Sequence, residues 1–147
     1  MTTIAWDGST LAADRCSWSG GTRRAVRKVF KIRRVDGSLA LVAFCGSGEF
    51  AHAVLAWLQT GGDKPNCADF GVDPELACAL VIDDRHRIWS LGGRLVYQRM
   101  RDRMFAAGAG QEFAWGALEA GADAKRAIQI TAKRSDFAAL GVDTVKF

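Results

Sequence analysis

Residues 26–58, VRKVFKIRRVDGSLALVAFCGSGEFAHAVLAWL, decide the fold class. From Val26 to Ile32 the side chains alternate, Val26, Lys28, Phe30 and Ile32 against Arg27, Val29 and Lys31, which is the period of a strand with one face inward. Asp36-Gly37 supplies a tight turn, and Leu39–Cys45 is an almost continuous apolar run, as a fully buried strand requires. After Gly46-Ser47-Gly48 the period lengthens. Ala51, Val54, Leu55 and Leu58 recur at i, i+3, i+4 and i+7, so a helix packs one face inward until Gly61-Gly62 stops it. A hairpin leading into an amphipathic helix, without a parallel crossover, is the local mark of an antiparallel sheet carrying helices on its face.

The flanks repeat this grammar. Thr2–Trp6 and Leu11–Ala13 surround Asp7-Gly8 and predict a first hairpin, so the chain starts inside the sheet. An irregular loop spans 63–74. Ala77–Ile82 and Arg87–Leu91 predict a third hairpin around Asp83-Asp84-Arg85-His86. A short strand at Phe105–Ala107 precedes helices over Glu112–Glu119 and Ala124–Lys133, and Val142–Phe147 predicts a last strand. The order is strands, helix, strands, two helices, strand, which is a layered α+β class. Residues 1–147 read as a single domain: at 49% hydrophobic residues, with five Trp and eight Phe, such a chain buries roughly two-thirds of its unfolded surface.

Composition excludes several function classes. The net charge of +4 comes mainly from Arg23, Arg24, Arg27, Lys28, Lys31, Arg33 and Arg34, without interleaved stacking aromatics or a reader motif, so nucleic acid is not the expected partner. Cys16, Cys45, Cys67 and Cys78 contain no C-x-x-C pair and have only His52 and His86 for company, so no metal site is expected. Cys45 and Cys78 sit in apolar runs and read as small buried hydrophobes suited to a reducing compartment. No apolar run reaches 18 residues and no basic-then-apolar leader opens the chain, so the expectation is a cytoplasmic protein with no membrane partner. Gly46-Ser47-Gly48 lacks the Lys-Ser/Thr of a phosphate-binding loop, so no nucleotide site follows.

The chemistry sits at the N-terminus. Removal of Met1, favoured by a residue as small as Thr2, leaves a hydroxyl and a free α-amine on one residue. An α-amine titrates near 7.7–8.0 in model compounds, so part of it is neutral at pH 7 and acts as base for its own hydroxyl. A nearby lysine lowers the hydroxyl's proton affinity, and a carboxylate orients that lysine. Lys28 and Asp14 are the candidates for these roles; Lys31 lies on the opposite strand face.

Five segments in chain order, Thr2-Thr3-Ile4-Ala5, Leu11-Ala12-Ala13-Asp14, Arg27-Lys28-Val29-Phe30-Lys31-Ile32, Cys45-Gly46-Ser47-Gly48 and residues 108–116, resemble motifs of the proteasome β-subunit family of N-terminal nucleophile hydrolases. The resemblance extends to the two-tier bacterial proteasome-like protease and smaller bacterial and phage-borne relatives. It implies a four-layer αββα sandwich in which Thr2 is nucleophile and base, Asp14 the carboxylate, Lys28 the activating lysine, and the Gly48 amide the oxyanion donor. Asp136 matches an aspartate that supports the amine. Gly46 and Ser47 match substrate-binding positions, and a glycine at 46 implies an open pocket floor that favours cleavage after large residues. The chain departs from the pattern at Ala109 and Ala139, where the family typically has serines that bond around the amine.

The implied activity is threonine-type peptide hydrolysis, without metal or cofactor, inside a homo-oligomer. Its substrates would be peptides or unfolded proteins, with an ATP-dependent unfoldase as a further partner, and Trp57 and Trp89 are the aromatics expected near a subunit contact. An amidase of the same class acting on a small amide, and a non-catalytic scaffold, are the alternatives.

Overall fold

A computed structural model describes residues 1–147. Its elements are β1 (Thr3–Trp6), β2 (Leu11–Asp14), β3 (Cys16–Ser19), β4 (Thr22–Ala25), β5 (Val29–Arg33), β6 (Leu39–Cys45), α1 (Gly48–Thr60), β7 (Cys78–Asp83), β8 (Ile88–Gly92), β9 (Tyr97–Met100), β10 (Phe105–Gly108), α2 (Gln111–Glu119), α3 (Ala124–Arg134) and β11 (Val142–Val145). They form two antiparallel sheets, in the orders β10-β1-β2-β11 and β5-β6-β7-β8-β9, and a separate β3-β4 ribbon.

The alternation of side chains assigns each layer. Ile4, Trp6, Leu11 and Ala13 of the first sheet meet Val29, Leu41, Ala43, Leu80, Ile82 and Ile88 of the second in an apolar layer between the sheets. The opposite face of the first sheet presents Ala5, Ala12 and Ala106, small enough to let α2 and α3 approach with Ala114, Leu118, Ala127 and Ile128. Across the second sheet, Ala40, Val42, Phe44 and Val81 pack against Phe50, Val54 and Leu58 of α1. The result is the four-layer αββα sandwich. It explains the unbroken apolar run of β6, whose residues face α1 and the other sheet in turn. Each large side chain buried here contributes about 1.5–3 kcal/mol relative to exposure.

Two glycines fix how β10 lies against the N-terminus. Gly108 has φ +89°, and a Cβ there would overlap the carbonyl oxygen of Thr2; a Cβ on Gly110 would overlap Oγ1 of Thr3. Gly62, at φ +91° with open space around it, carries only the conformational requirement. Gly108→Ala is therefore expected to lose roughly 2–6 kcal/mol, from strain plus overlap, and Gly62→Ala about 1–2 kcal/mol. Chemical denaturation of the two variants checks this, and equal losses would contradict the role given to Gly108.

Several expectations are corrected. The strand predicted from Val26 begins at Val29, and Val26 is exposed because it lies in the linker that leaves the β3-β4 ribbon. Val29, assigned to the outward face with Lys31, is fully buried, since this end of β5 lies under the first sheet; Lys31 is exposed as expected. Cys45 and Cys78 are half-buried cross-strand partners at one end of β6 and β7, while Cys16 and Cys67 are the buried cysteines. The β3-β4 ribbon and β9 were not expected. Gly20-Gly21 is a recognisable two-residue turn signal for the ribbon, whereas β9 is mostly exposed and shows no period. No helix is long and apolar enough to cross a membrane.

Candidate active site

Three segments converge on one lysine. Thr2 precedes β1, Asp14 ends β2 and Lys28 precedes β5. The Lys28 ammonium donates to Thr2 Oγ1 at 3.0 Å, to Asp14 Oδ1 at 3.0 Å and Oδ2 at 3.2 Å, to the Cys16 carbonyl and to the Met1 carbonyl at 3.3 Å. Both charged side chains are out of solvent, Lys28 at 8% exposure and Asp14 at 0%. A buried ion pair costs stability unless its remaining donors and acceptors are filled. Here they are: Asp14 also accepts the amides of Thr3 at 3.0 Å, Cys16 at 3.0 Å and Ala139 at 3.4 Å.

Pairing of β1 with β2 and β10 sets this geometry. The Thr3 amide turns toward Asp14, the Thr3 hydroxyl donates to the Phe137 carbonyl at 2.8 Å, and the Gly110 amide donates to the Thr2 carbonyl at 3.4 Å. Thr2 is thereby held at 5% exposure with its hydroxyl against the ammonium. A cation donating to that oxygen favours its deprotonated form. With Met1 attached, the Thr2 nitrogen is a peptide amide, and Met1 itself is 56% exposed.

A cleft of about 120 Å3 opens over these groups, lined by Thr2, Lys28, Arg27, Phe30, Phe44 and Gly48 among others. Gly48 is the first residue of α1, where the amide has no intrahelical partner and the helix end favours negative charge. Ser47 is the N-cap: its hydroxyl turns to the Phe50 amide at 3.4 Å instead of into the cleft. Gly46 lines the cleft, but at φ +102° a Cβ there would point at Ala77 Cα and the Leu76 carbonyl, each 3.2 Å away. A side chain at position 46 would therefore press first on Ala77 and Leu76.

Asp136 is exposed beyond α3 and makes no ion pair or side-chain hydrogen bond, so it stays outside the Thr2-Asp14-Lys28 cluster. Ala109 is exposed, and Ala139 reaches the cluster through its backbone amide alone. The Cys16 carbonyl and the amides that hold Asp14 were not foreseen. Backbone groups are common to every residue type and leave no mark in a sequence. The Cys45 thiol donates to the Cys78 carbonyl at 3.6 Å; the two side chains act on one another, the neighbouring Cys78 side chain holding Cys45 below its ordinary value, and Cys45 together with burial pushing Cys78 up. No group of three or more His, Cys, Asp or Glu side chains is placed to hold a metal ion.

No protein-family model matches the sequence, and no curated protein matches it either. Solved structures do match. BPH of Thiobacillus denitrificans in complex with epoxomicin superposes with TM-score 0.68 at 19% identity, over 98% of this chain and 96% of that one. An Anbu (Gly-1) mutant from Hyphomicrobium sp. strain MC1 gives TM-score 0.74 at 12% identity, over 99% and 80%. Anbu of Yersinia bercovieri, described as an ancestral β-subunit, gives 0.67 at 12%, over 100% and 81%. The chain thus has the αββα fold of the proteasome-like N-terminal nucleophile hydrolases.

Proposed function

We propose that the protein, once Met1 is removed, is a threonine-type peptidase in which Thr2 is the nucleophile. The observation that carries this reading is the Lys28 ammonium, bonded at 3.0 Å to both Thr2 Oγ1 and a carboxylate oxygen of Asp14 beneath the cleft. The freed α-amine takes the proton of the Thr2 hydroxyl as its oxygen attacks the substrate carbonyl. The Gly48 amide, at the positive end of α1, receives the developing oxyanion. The amine returns the proton to the leaving nitrogen, and water releases the acyl group from Thr2 Oγ1. The Lys28 ammonium, held by Asp14, stabilises the alkoxide. In this reading the substrates are peptides or unfolded proteins, the working form is a homo-oligomer, and an ATP-dependent unfoldase is a partner by analogy with the fold.

The test combines intact mass with an electrophile that needs both groups of an N-terminal threonine. The mature mass is expected to lack Met1, and a peptide epoxyketone, the class of compound bound by BPH, is expected to add once, at Thr2. Retention of Met1 in every preparation, or labelling elsewhere, refutes the reading. The scaffold alternative is favoured by one observation: Ala109 and Ala139 supply no hydroxyl near the N-terminus. It predicts no adduct on a correctly trimmed chain.

A further inference from the structure

The cleft over Thr2 has an unusual balance of charge. Besides Lys28, which Asp14 neutralises, its lining carries the Arg27 guanidinium and the His52 imidazole but no carboxylate. Glu49, in the first turn of α1, is exposed and does not line the cleft. Arg27 is held in place while its charge remains uncompensated. Its Nε donates to the Val29 carbonyl at 2.9 Å, and its guanidinium lies over the Phe30 ring, 5.7 Å from the centroid. It forms no ion pair, so its two terminal nitrogens, with four of its five N–H donors, have no protein partner. Phe30 also meets the His52 ring edge-on at 6.4 Å, and with Phe44 it gives the cleft an apolar wall.

We infer that this cleft selects an acidic substrate side chain, glutamate in particular, with the methylene stem against Phe30 and Phe44 and the carboxylate on Arg27. The inference rests on the reading of Thr2 as nucleophile. A fixed guanidinium with free paired donors matches a carboxylate in both charge and geometry. The same cation repels a lysine or arginine side chain, so discrimination comes from attraction and repulsion together. Arginine, among the large residues that the open-floor expectation favoured, is disfavoured here.

Three peptide epoxyketones that differ only in the residue next to the warhead, Glu, Leu or Lys, test this on the Met1-trimmed protein by rate of adduct formation in mass spectrometry. The Glu probe is expected to react at least about tenfold faster than the Lys probe. In Arg27→Glu that ratio is expected to collapse or invert. In Lys31→Glu, which makes the same change of net charge at an exposed site on β5 away from the cleft lining, the ratio is expected to persist. A Lys probe as fast as the Glu probe in the wild type, or a ratio that Arg27→Glu leaves unchanged, overturns the inference while adduct formation upholds the nucleophile. If none of the three probes adds to Thr2, the nucleophile assignment falls and takes the inference with it.

Discussion

Thr2→Ala is expected to lose at least about 10³-fold in peptide hydrolysis while lowering Tm by only about 5 °C or less. The substitution removes the attacking oxygen but takes only one acceptor from Lys28. The ammonium keeps Asp14, the Cys16 carbonyl and the Met1 carbonyl, or the freed amine's surroundings after trimming. A single lost hydrogen bond to a charged group costs about 1.5–3 kcal/mol at most, and less where other acceptors remain in reach. Hydrolysis assays beside a thermal scan separate the two effects. Residual turnover within tenfold of wild type would remove Thr2 from the mechanism. Lys28→Ala is a poorer probe than the sequence alone suggests, because it strands a carboxylate at 0% exposure. Loss of activity in that variant would mix chemistry with folding.

Asp14→Ala is expected to be the most destabilising replacement of a polar side chain. It leaves the Lys28 ammonium buried without its counter-charge and takes the acceptor from the amides of Thr3, Cys16 and Ala139 at once. Removing one partner of a buried pair costs about 3–5 kcal/mol, out of a total stability of about 5–15 kcal/mol for a domain of ordinary size. At roughly 2–4 °C per kcal/mol this lowers Tm by roughly 6–20 °C. Asp143→Ala serves as the comparison, since its pair with Arg15 lies partly in solvent, at 26% and 44% exposure, and is expected to shift Tm by about 2 °C or less. Equal shifts in calorimetry would show that the Asp14 network is not what holds β2 to the N-terminus and the loop after α3.

What the sequence revealed follows from where signals arise. β6 and α1 were legible because Leu39–Cys45 and Ala51–Leu58 each have a face pressed on a core, and burial enforces a period. β9 has no such face, so its residues carry no pattern. Thr2, Asp14 and Lys28 could be named together because the segments that carry them resemble family motifs in chain order, the residue types alone being common, and the structure brings their side chains into contact. Gly46 shows the opposite case. Its φ of +102° turns the missing Cβ toward Ala77 and Leu76; that direction is a backbone property which composition does not encode. Asp136 matched a motif position, yet the loop after α3 leaves its side chain in solvent.

The depth of Thr2 beside an exposed Met1 has a consequence for timing. In the folded chain Thr3–Trp6 is fully buried and bonded along both edges, to β2 and to β10. The folded protein exposes Met1 but buries Thr2 and the residues that follow it. The removal of Met1 proposed above is therefore favoured before β1 is paired on both edges. β2 is made almost at once, but β10 lies roughly 100 residues downstream of β1, which at about 5–20 residues per second takes the ribosome roughly 5–20 s. During that interval β1 lacks its second strand partner. Molecules that miss that interval close with Met1 in place and Lys28 bonded to its carbonyl. On the mechanism proposed above, the kinetics of synthesis would then set how much of the protein carries a free Thr2 amine.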